Sequence, residues 1–487
     1  MDQSRSLHAL VIGAGVAGIV AAIELRAAGH EVTVVEKADR VGGTWRENTY
    51  PGIACDVPSH LYSYSFAPNP EWSHVFAPGP EIQRYLERVA DDHGVTDMIR
   101  FGTEITELTH VPGGWRATTG DGDAIEADVV FGATGVLHHP KYPDIEGLDD
   151  FDGPCFHSAR WDHDVTLDGK RVGIIGAGST AVQITNASAA TVGSLTLFQR
   201  SPQWVVPVPN DPISDDERAA LAGDPSSIAE LRAHYAQSFE ERFADVVVDA
   251  GSPMLDLIEE LCRDNLERHV DDPELRAKLT PDYRVACKRL VVSPNYYEAV
   301  NRPNVDVVTE RIERIERSGV RTSDGVLHEL DVLVLATGFQ VDRFLRPIEV
   351  TGRDGIRLEE VWAKRPSAYL GMSLPDFPNL FLLNGPNGPV GNFSLIEVSE
   401  LQTAYLLQLV ERIAAGDADE IAATARALDD FEDARVEAAK NTVWMTGCRS
   451  WYLDDRGVPA AWPWTISRYR EFLAEPDLDD YELTSID

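Results

Sequence analysis

LHALVIGAGVAGIVAAIELRAA at residues 7–28 and RVGIIGAGSTA at residues 171–181 follow one plan. In each, a continuous apolar run breaks on a glycine turn and resumes with helical spacing. The period switches from that of a buried strand to 3.6 residues, the pattern of a strand–turn–helix unit. A lone G-x-G-x-x-G is weak evidence, but two copies, each between a strand and a helix, are strong. The first copy supplies Gly13, Gly15 and Gly18; the second supplies Gly176 and Gly178, then Ser179 and Thr180. In such a turn the first glycine permits the bend and the second lets the backbone approach a pyrophosphate. The third lets helix and strand pack closely, while the helix N-terminus offers N–H groups to phosphate.

The two units differ where their second strands end. EVTVVE ends at Glu36, followed by Lys37, and SLTLFQ ends at Gln199, followed by Arg200 and Ser201. Both ends lie 23 residues beyond the first glycine of their unit. An acid at that point accepts hydrogen bonds from a free ribose 2′-hydroxyl and repels a 2′-phosphate. A neutral residue followed by Arg and Ser accepts the phosphate. The first site is therefore expected to take FAD, with NAD as the alternative, and the second NADPH. One flavin site beside one NADPH site implies hydride transfer from nicotinamide to flavin.

Each unit is followed by a second marker: VVFGATG ends at Gly135, and VLVLATG, with Ala336 and Thr337, ends at Gly338. The order glycine turn, ATG, glycine turn, ATG predicts an α/β fold. It has two Rossmann-like dinucleotide-binding domains, the second nested in the first. The expected division is 1–145 for the first part of the FAD domain and 146–369 for the NADPH domain. Residues 370–487 then form the second part of the FAD domain with a C-terminal substrate or lid region. The chain is expected to cross over near residues 143–148 and to return around 365–375. Residues 210–285, rich in Asp, Glu, Ala, Leu and Arg, read as a helical insertion. Residues 400–440, including EIAATARALDDFEDARVEAAKN, read as helical too.

Composition narrows the function. Of 487 residues 43% are hydrophobic and 25% charged, the balance of an ordinary soluble enzyme. Lys and Arg number 43 against 80 Asp and Glu, a formal charge of −37 that repels phosphate backbones and anionic lipid. Neither nucleic-acid binding nor stable membrane insertion is expected. The apolar run at 7–28 lacks the basic leader of a signal peptide, with only Arg5 ahead of it, and glycines interrupt it. Five cysteines, at 55, 155, 262, 287 and 448, form no C-x-x-C. A redox dithiol and a structural zinc site are therefore not expected, and the scattered count fits a reducing cytoplasm. No metal ligand set is expected; His138 and His139 read as linker residues. Without a cysteine pair to receive electrons from the flavin, oxygen becomes the leading acceptor.

Three further stretches carry a family resemblance: GGTWRENTYPGIACDVPSHLYSYSF at 42–66, FDGPCFHSARWD at 151–162 and CKRLVVSPNYYEAVNRPNV at 287–305. With the two glycine turns, the chain resembles the class B flavoprotein monooxygenases, and within them the Baeyer–Villiger monooxygenases. The fingerprint FxGxxxHxxxW[P/D] is matched by Phe151, Gly153, His157, Trp161 and Asp162, directly before the second glycine turn. Trp161 favours the Baeyer–Villiger branch, because N- or S-oxygenating relatives typically carry Tyr or Phe there. Two features depart from the pattern. The stretch ahead of Leu7 is short, and GPNGPVGNFSL at 385–395 is not the form of the phenylacetone- or cyclohexanone-oxidising branches.

The resemblance implies that NADPH reduces FAD, that reduced flavin and O₂ form a C4a-peroxyflavin, and that this inserts oxygen beside a ketone carbonyl. The product is an ester or lactone, and the substrate a small apolar ketone. A fixed cation near the reacting oxygen is required. Arg289 matches it, with Asp56 as the carboxylate that orients it. A lone Asp in a turn is ordinarily a cap and a lone Arg a surface group, so the flanking motifs carry this assignment. The resemblance further places Lys288 near the 2′-phosphate with Arg200 and Ser201. Thr44 and Trp45 would lie near the flavin, where Trp45 serves equally as core packing. Leu395 would open a helix aimed at the flavin O2 locus, and Trp451 would sit on a loop that folds over NADP. His157 and Trp161 would couple domains rather than do chemistry. Trp444, Trp451, Trp462 and Trp464 would line a substrate cavity or pack between domains. A cytoplasmic monomer or homodimer is the family expectation. An N- or S-oxygenating monooxygenase on the same fold and a non-catalytic dinucleotide-binding redox sensor are the competing readings.

Overall fold

The computed structural model describes residues 5–389, 391 and 393–486. Two five-stranded parallel sheets organise it, ordered alike over four strands; the fifth, at one edge, comes last in the chain in the first sheet and first in the second. The first runs Leu380–Leu382, Val129–Gly132, His8–Ile12, Glu31–Val35, Ile99–Arg100. The second runs Cys155–His157, Val332–Leu335, Arg171–Ile175, Ser194–Phe198, Val305–Val308. Parallel strands are covered on both faces, which is why residues 9–12 and 172–175 read as unbroken apolar runs. The helix Val16–Ala27 is buried along most of its length between its sheet and the long helix Leu395–Ala415. A helix apolar nearly all round requires such cover.

The glycine and ATG motifs meet in space. Gly13 has φ +106°, and a Cβ there would lie 2.6 Å from the Ala133 carbonyl oxygen. Gly176 has φ +139°, and its Cβ would lie 2.2 Å from the Ala336 carbonyl oxygen. In both domains the turn bends over the alanine of the neighbouring strand's ATG, so the two motifs recur together. The threonines of the same motifs hold the crossovers. Thr337 Oγ1 donates to the Lys141 carbonyl (2.6 Å) on the way out, and Thr134 Oγ1 to the Phe344 carbonyl (2.9 Å) on the way back.

The return crossover comes earlier than residues 365–375. Leu345 already packs in a core cluster with Leu10 and Ile12, and Glu349–Thr351 pairs with Glu107–Thr109 of the first domain. A three-residue strand has too little periodicity to announce itself. The helical reading of residues 420–423 also fails: Glu420–Ala423 is a strand, antiparallel to Tyr481–Thr484, and the helix starts at Ala425. Pairing with a distant strand overrides local helix propensity.

The insertion comprises helices Asp215–Gly223, Pro225–Phe239, Pro253–His269 and Pro273–Leu279, with a π-helical stretch Glu240–Ala244 and a short turn Asp245–Val247. It is closed by a two-residue parallel ladder between Val205–Val206 and Val291–Val292. That ladder starts two residues after Arg289 and fixes where its side chain emerges. Among the described residues no helix is long and apolar enough to cross a membrane, and no acidic, His and Cys group is placed to hold a metal ion.

Candidate active site

One cavity of about 1470 Å³ runs between the two sheets. A site for one drug-sized ligand occupies roughly 300–1,000 Å³, so this volume suits more than one long ligand. It is lined by Gly13, Gly15, Glu36, Lys37, Thr44 and Trp45 on one side, and by Gly176, Gly178, Ser179, Thr180, Arg200, Ser201, Lys288, Ala336 and Thr337 on the other. Asp56, Arg289, Leu395 and Trp451 line it between. Gly18 is not among the lining residues; it lies in the helix–strand contact beneath. Val390 and Asn392, within the GPNGPVGNFSL stretch, lie outside the described residues.

The polar groups fit two dinucleotides of different kinds. Glu36 is buried and already accepts from the Ala14 and Ala38 amides (2.9 and 3.0 Å) and from Arg46 (3.0 Å), which fixes its carboxylate at the mouth of the first turn. At the second turn Gln199 is buried, and its amide donates to the Lys278 carbonyl (3.0 Å), so no carboxylate faces that mouth. Instead Lys288 Nζ donates to Ser201 Oγ (2.7 Å) and lies over the Tyr283 ring at 4.2 Å. Burial lowers the Lys288 pKa; Asp282 pulls it back in part, and nearby Arg200 adds a smaller push downward. A dianionic phosphate would relieve this strain between cations. A Cβ on Gly178 would meet nothing within 4 Å, which leaves the backbone open to a pyrophosphate.

Arg289 and Asp56, 233 residues apart in sequence, form a bidentate pair. Arg289 Nε donates to Asp56 Oδ2 (2.9 Å) and Nη2 to Oδ1 (2.7 Å). Nη1 donates to the Gly391 carbonyl (2.7 Å), and the guanidinium also hydrogen-bonds the Tyr452 hydroxyl. Burial opposes the charge on Arg289, but Asp56 and Tyr452 outweigh it and raise its pKa, so it stays cationic. Both members of the pair are about a quarter exposed, and both line the cavity. Beside them Trp45 is buried and donates from Nε1 to the Tyr62 hydroxyl (3.2 Å), so it lines the cavity and packs the core together.

The domains are stitched close to this pair. The Tyr50 hydroxyl donates to Gln183 Oε1 (2.9 Å), and Gln183 Nε2 donates to the Ala54 carbonyl (3.0 Å). Thr180 Oγ1 reaches the same hydroxyl at 3.4 Å. The helix Ser179–Ser188 therefore grips the turn that carries Asp56. His157 uses both ring nitrogens: Nδ1 accepts from the Ala159 amide (3.1 Å), leaving Nε2 to donate to the Gly338 carbonyl (3.0 Å). Burial pushes its pKa down to about 4, so it is a neutral strut. Trp161 packs edge-on against Phe156 at 5.0 Å.

Several groups escape the sequence reading. His138 lies between Lys37 Nζ (2.5 Å from Nε2) and Glu47 Oε2 (2.7 Å from Nδ1). Lysine only donates, so Nε2 accepts and Nδ1 carries the proton to Glu47. Burial would raise the Glu47 pKa, but the His138 hydrogen bond with Arg160 and Arg46 holds it below the usual value. Cys287 and Cys448, which share no C-x-x-C spacing, form a disulfide. Only Cys55, Cys155 and Cys262 are free. The Trp-rich end divides: Trp451 stacks on Tyr452 at 4.0 Å and lines the cavity, whereas Trp462 and Trp464 pack with Phe431 and Phe472. Trp444 is buried against Tyr452.

Comparison with known proteins gives concordant matches. A family model for NAD(P)-binding Rossmann-like domains matches residues 11–78. An uncharacterized monooxygenase of Mycobacterium tuberculosis is 46% identical, over 92% of this chain and 90% of that protein. A Baeyer–Villiger monooxygenase of Streptomyces coelicolor is 41% identical, over 97% of this chain and 92% of that protein. The solved structure of OTEMO in complex with FAD and NADP superposes with a TM-score of 0.89 at 29% identity, covering 99% of this chain and all of that one.

Proposed function

The chain belongs to the Baeyer–Villiger monooxygenases, and from that premise we propose that it oxidises an apolar ketone to an ester or lactone through Arg289 and Asp56. It is an FAD-containing, NADPH-dependent flavoprotein monooxygenase. The observation that carries the finer reading is the bidentate Arg289–Asp56 pair facing the cavity between the two glycine turns. When bound, the flavin and NADPH supply the hydride and oxygen-activating chemistry. The chain's own residues supply position and charge. Arg289 places a permanent cation where negative charge develops on the ketone oxygen as the carbonyl is attacked. Such a preorganised donor contributes about 10²–10³ in rate. Asp56 fixes the plane of the guanidinium fork and leaves its charge in place, since a carboxylate binds both nitrogens of one edge. Val57, Tyr62, Phe393, Leu395 and Trp451 line the same cavity and suit an apolar substrate. They exclude water that would otherwise compete for the charge. The same proposal sets the enzyme in the cytoplasm, beside the NADPH pool it draws on, as a monomer or homodimer.

The test is product analysis. The yellow holoenzyme is mixed with NADPH, air and a panel of ketones, and peroxide is followed alongside. An ester or lactone one oxygen heavier than its ketone is the expected result. Oxidised amines or sulfides, with no ester from any ketone, would replace the reading with heteroatom oxygenation.

Cofactor choice has its own expected outcome. Arg200→Ala and Lys288→Ala should each raise the KM for NADPH by about 10- to 100-fold, the loss of one hydrogen bond to a charged group. The KM for NADH should barely change. An equal loss with both nucleotides would make these residues structural.

A further inference from the structure

The Cys287–Cys448 disulfide joins two segments 161 residues apart, with the Cα atoms separated by 6.1 Å. Cys287 stands two residues before Arg289. Cys448 stands three before Trp451 and four before Tyr452. Both sulfurs lie in one apolar cluster with Trp204, Leu290, Trp444 and Tyr452. Tyr452 is buried, its ring stacks on that of Trp451 (4.0 Å) and contacts that of Trp444 (5.1 Å), and its hydroxyl meets the Arg289 guanidinium. Residues 446–451 contain no helix or strand; beyond them the Tyr452 carbonyl accepts from the Ala460 amide (2.6 Å), so the disulfide is the covalent tie at the other end of this segment. The disulfide therefore ties the only non-Asp side chain bonded to Arg289 among the described residues to the same loop that carries Arg289 itself.

We propose that Cys287–Cys448 is a redox-responsive clamp and Tyr452 a positioning residue for Arg289. The clamp's thiol state sets how much reducing power reaches substrate rather than leaving as hydrogen peroxide. In a reducing compartment a disulfide is seldom permanent, and those present are usually catalytic or redox-sensing. Closing balances as two thiols plus one hydrogen peroxide giving the disulfide and two waters. The thiols lose two electrons and the peroxide O–O bond takes them. Failed turnovers of an oxygen-using flavoprotein release that oxidant at the site. Opening needs a dithiol reductant, whose thiolate attacks one sulfur and whose own disulfide is the product. In the closed form Tyr452 accepts from Arg289 and Trp451 walls the cavity. In the open form the freed 446–451 segment shifts, and the Tyr452 side chain and Trp451 shift with it.

The proposal rests on the oxygenase reading above, and the experiment separates the two by omitting ketone. The FAD-loaded holoenzyme is prepared in air, then after dithiothreitol, then after re-oxidation with hydrogen peroxide. Alkylation under denaturing conditions and intact mass should count three thiols, five thiols and three thiols again. With ketone omitted every NADPH oxidised ends as one hydrogen peroxide, so the readout is the rate of peroxide release per enzyme, which should rise at least about tenfold in the reduced form, the loss of one hydrogen bond to a charged group. It should fall on re-oxidation. Cys448→Ser should leak like the reduced enzyme and ignore dithiothreitol. Tyr452→Phe should leak in both redox states while keeping its disulfide. Five thiols after peroxide treatment would overturn the clamp. So would a leak independent of redox state, a dithiothreitol response in Cys448→Ser, or a Tyr452→Phe enzyme that leaks only when reduced. If the leak responds as expected but no ketone yields an ester, the clamp stands and the substrate reading falls.

Discussion

Arg289→Ala is expected to give a yellow enzyme that NADPH still reduces but that forms ester at least about 10²–10³-fold more slowly. The reductive half relies on groups at the two glycine turns, and Arg289 is not among the residues there. Oxygen insertion needs a charge that does not titrate. Asp56 and Tyr452 raise the Arg289 pKa despite burial, so the wild-type cation persists at any pH the enzyme tolerates. Alanine removes that cation and leaves Asp56 facing the cavity unpaired, and it frees the Gly391 carbonyl and the Tyr452 hydroxyl. Arg289→Lys separates charge from geometry: an ammonium restores the charge but cannot fork to both Asp56 oxygens. It should recover part of the rate. The check is stopped-flow flavin reduction set against product yield in the same samples. Undiminished oxygenation by the alanine enzyme would mean chemistry that needs no fixed cation, as in an N- or S-oxygenating relative.

How far the sequence foretold this site depends on the kind of constraint involved. The glycine turns were legible because backbone sterics act locally: at Gly13 and Gly176 the φ angles alone disfavour a side chain. The Glu36–Gln199 contrast was legible for the same reason, since both end strands at a fixed offset from those turns. Arg289 and Asp56 became legible only through flanking motifs, because nothing in either segment records a partner 233 residues away. The disulfide was illegible in principle, as pairing among scattered cysteines cannot be deduced from spacing. His138 and Tyr452 sit in loops, where no periodicity marks a side chain as buried or bonded. Glu420–Ala423 misled because Glu and Ala favour helices in isolation, and only Tyr481–Thr484 makes it a strand.

Gly18→Ala should yield protein that loses its flavin on desalting and melts about 1–3 °C lower. A Cβ at Gly18 would lie 1.9 Å from the Gly13 carbonyl oxygen and 3.5 Å from the Ala133 Cβ. The first of these is backbone, so neither a rotamer change nor a small side-chain shift relieves it. The helix Val16–Ala27 must instead move off the strand His8–Ile12, and its N-terminus moves with it. Overpacking of this kind costs about 1–3 kcal/mol, and the displaced N–H groups also lose their aim at the pyrophosphate. The second turn supplies an internal control. Ala181, five residues after Gly176 as Gly18 is after Gly13, is fully buried, so that domain accommodates a Cβ at the equivalent point. Ala181→Gly should therefore leave flavin content unchanged and cost the helix propensity of one residue, about 1 kcal/mol, plus one buried methyl, about 0.8 kcal/mol. Bound flavin per chain after desalting, read beside a thermal melt, decides the matter. A fully loaded Gly18→Ala enzyme with a wild-type melt would mean that helix and strand are not in the contact described, and that the first turn does not hold flavin through it.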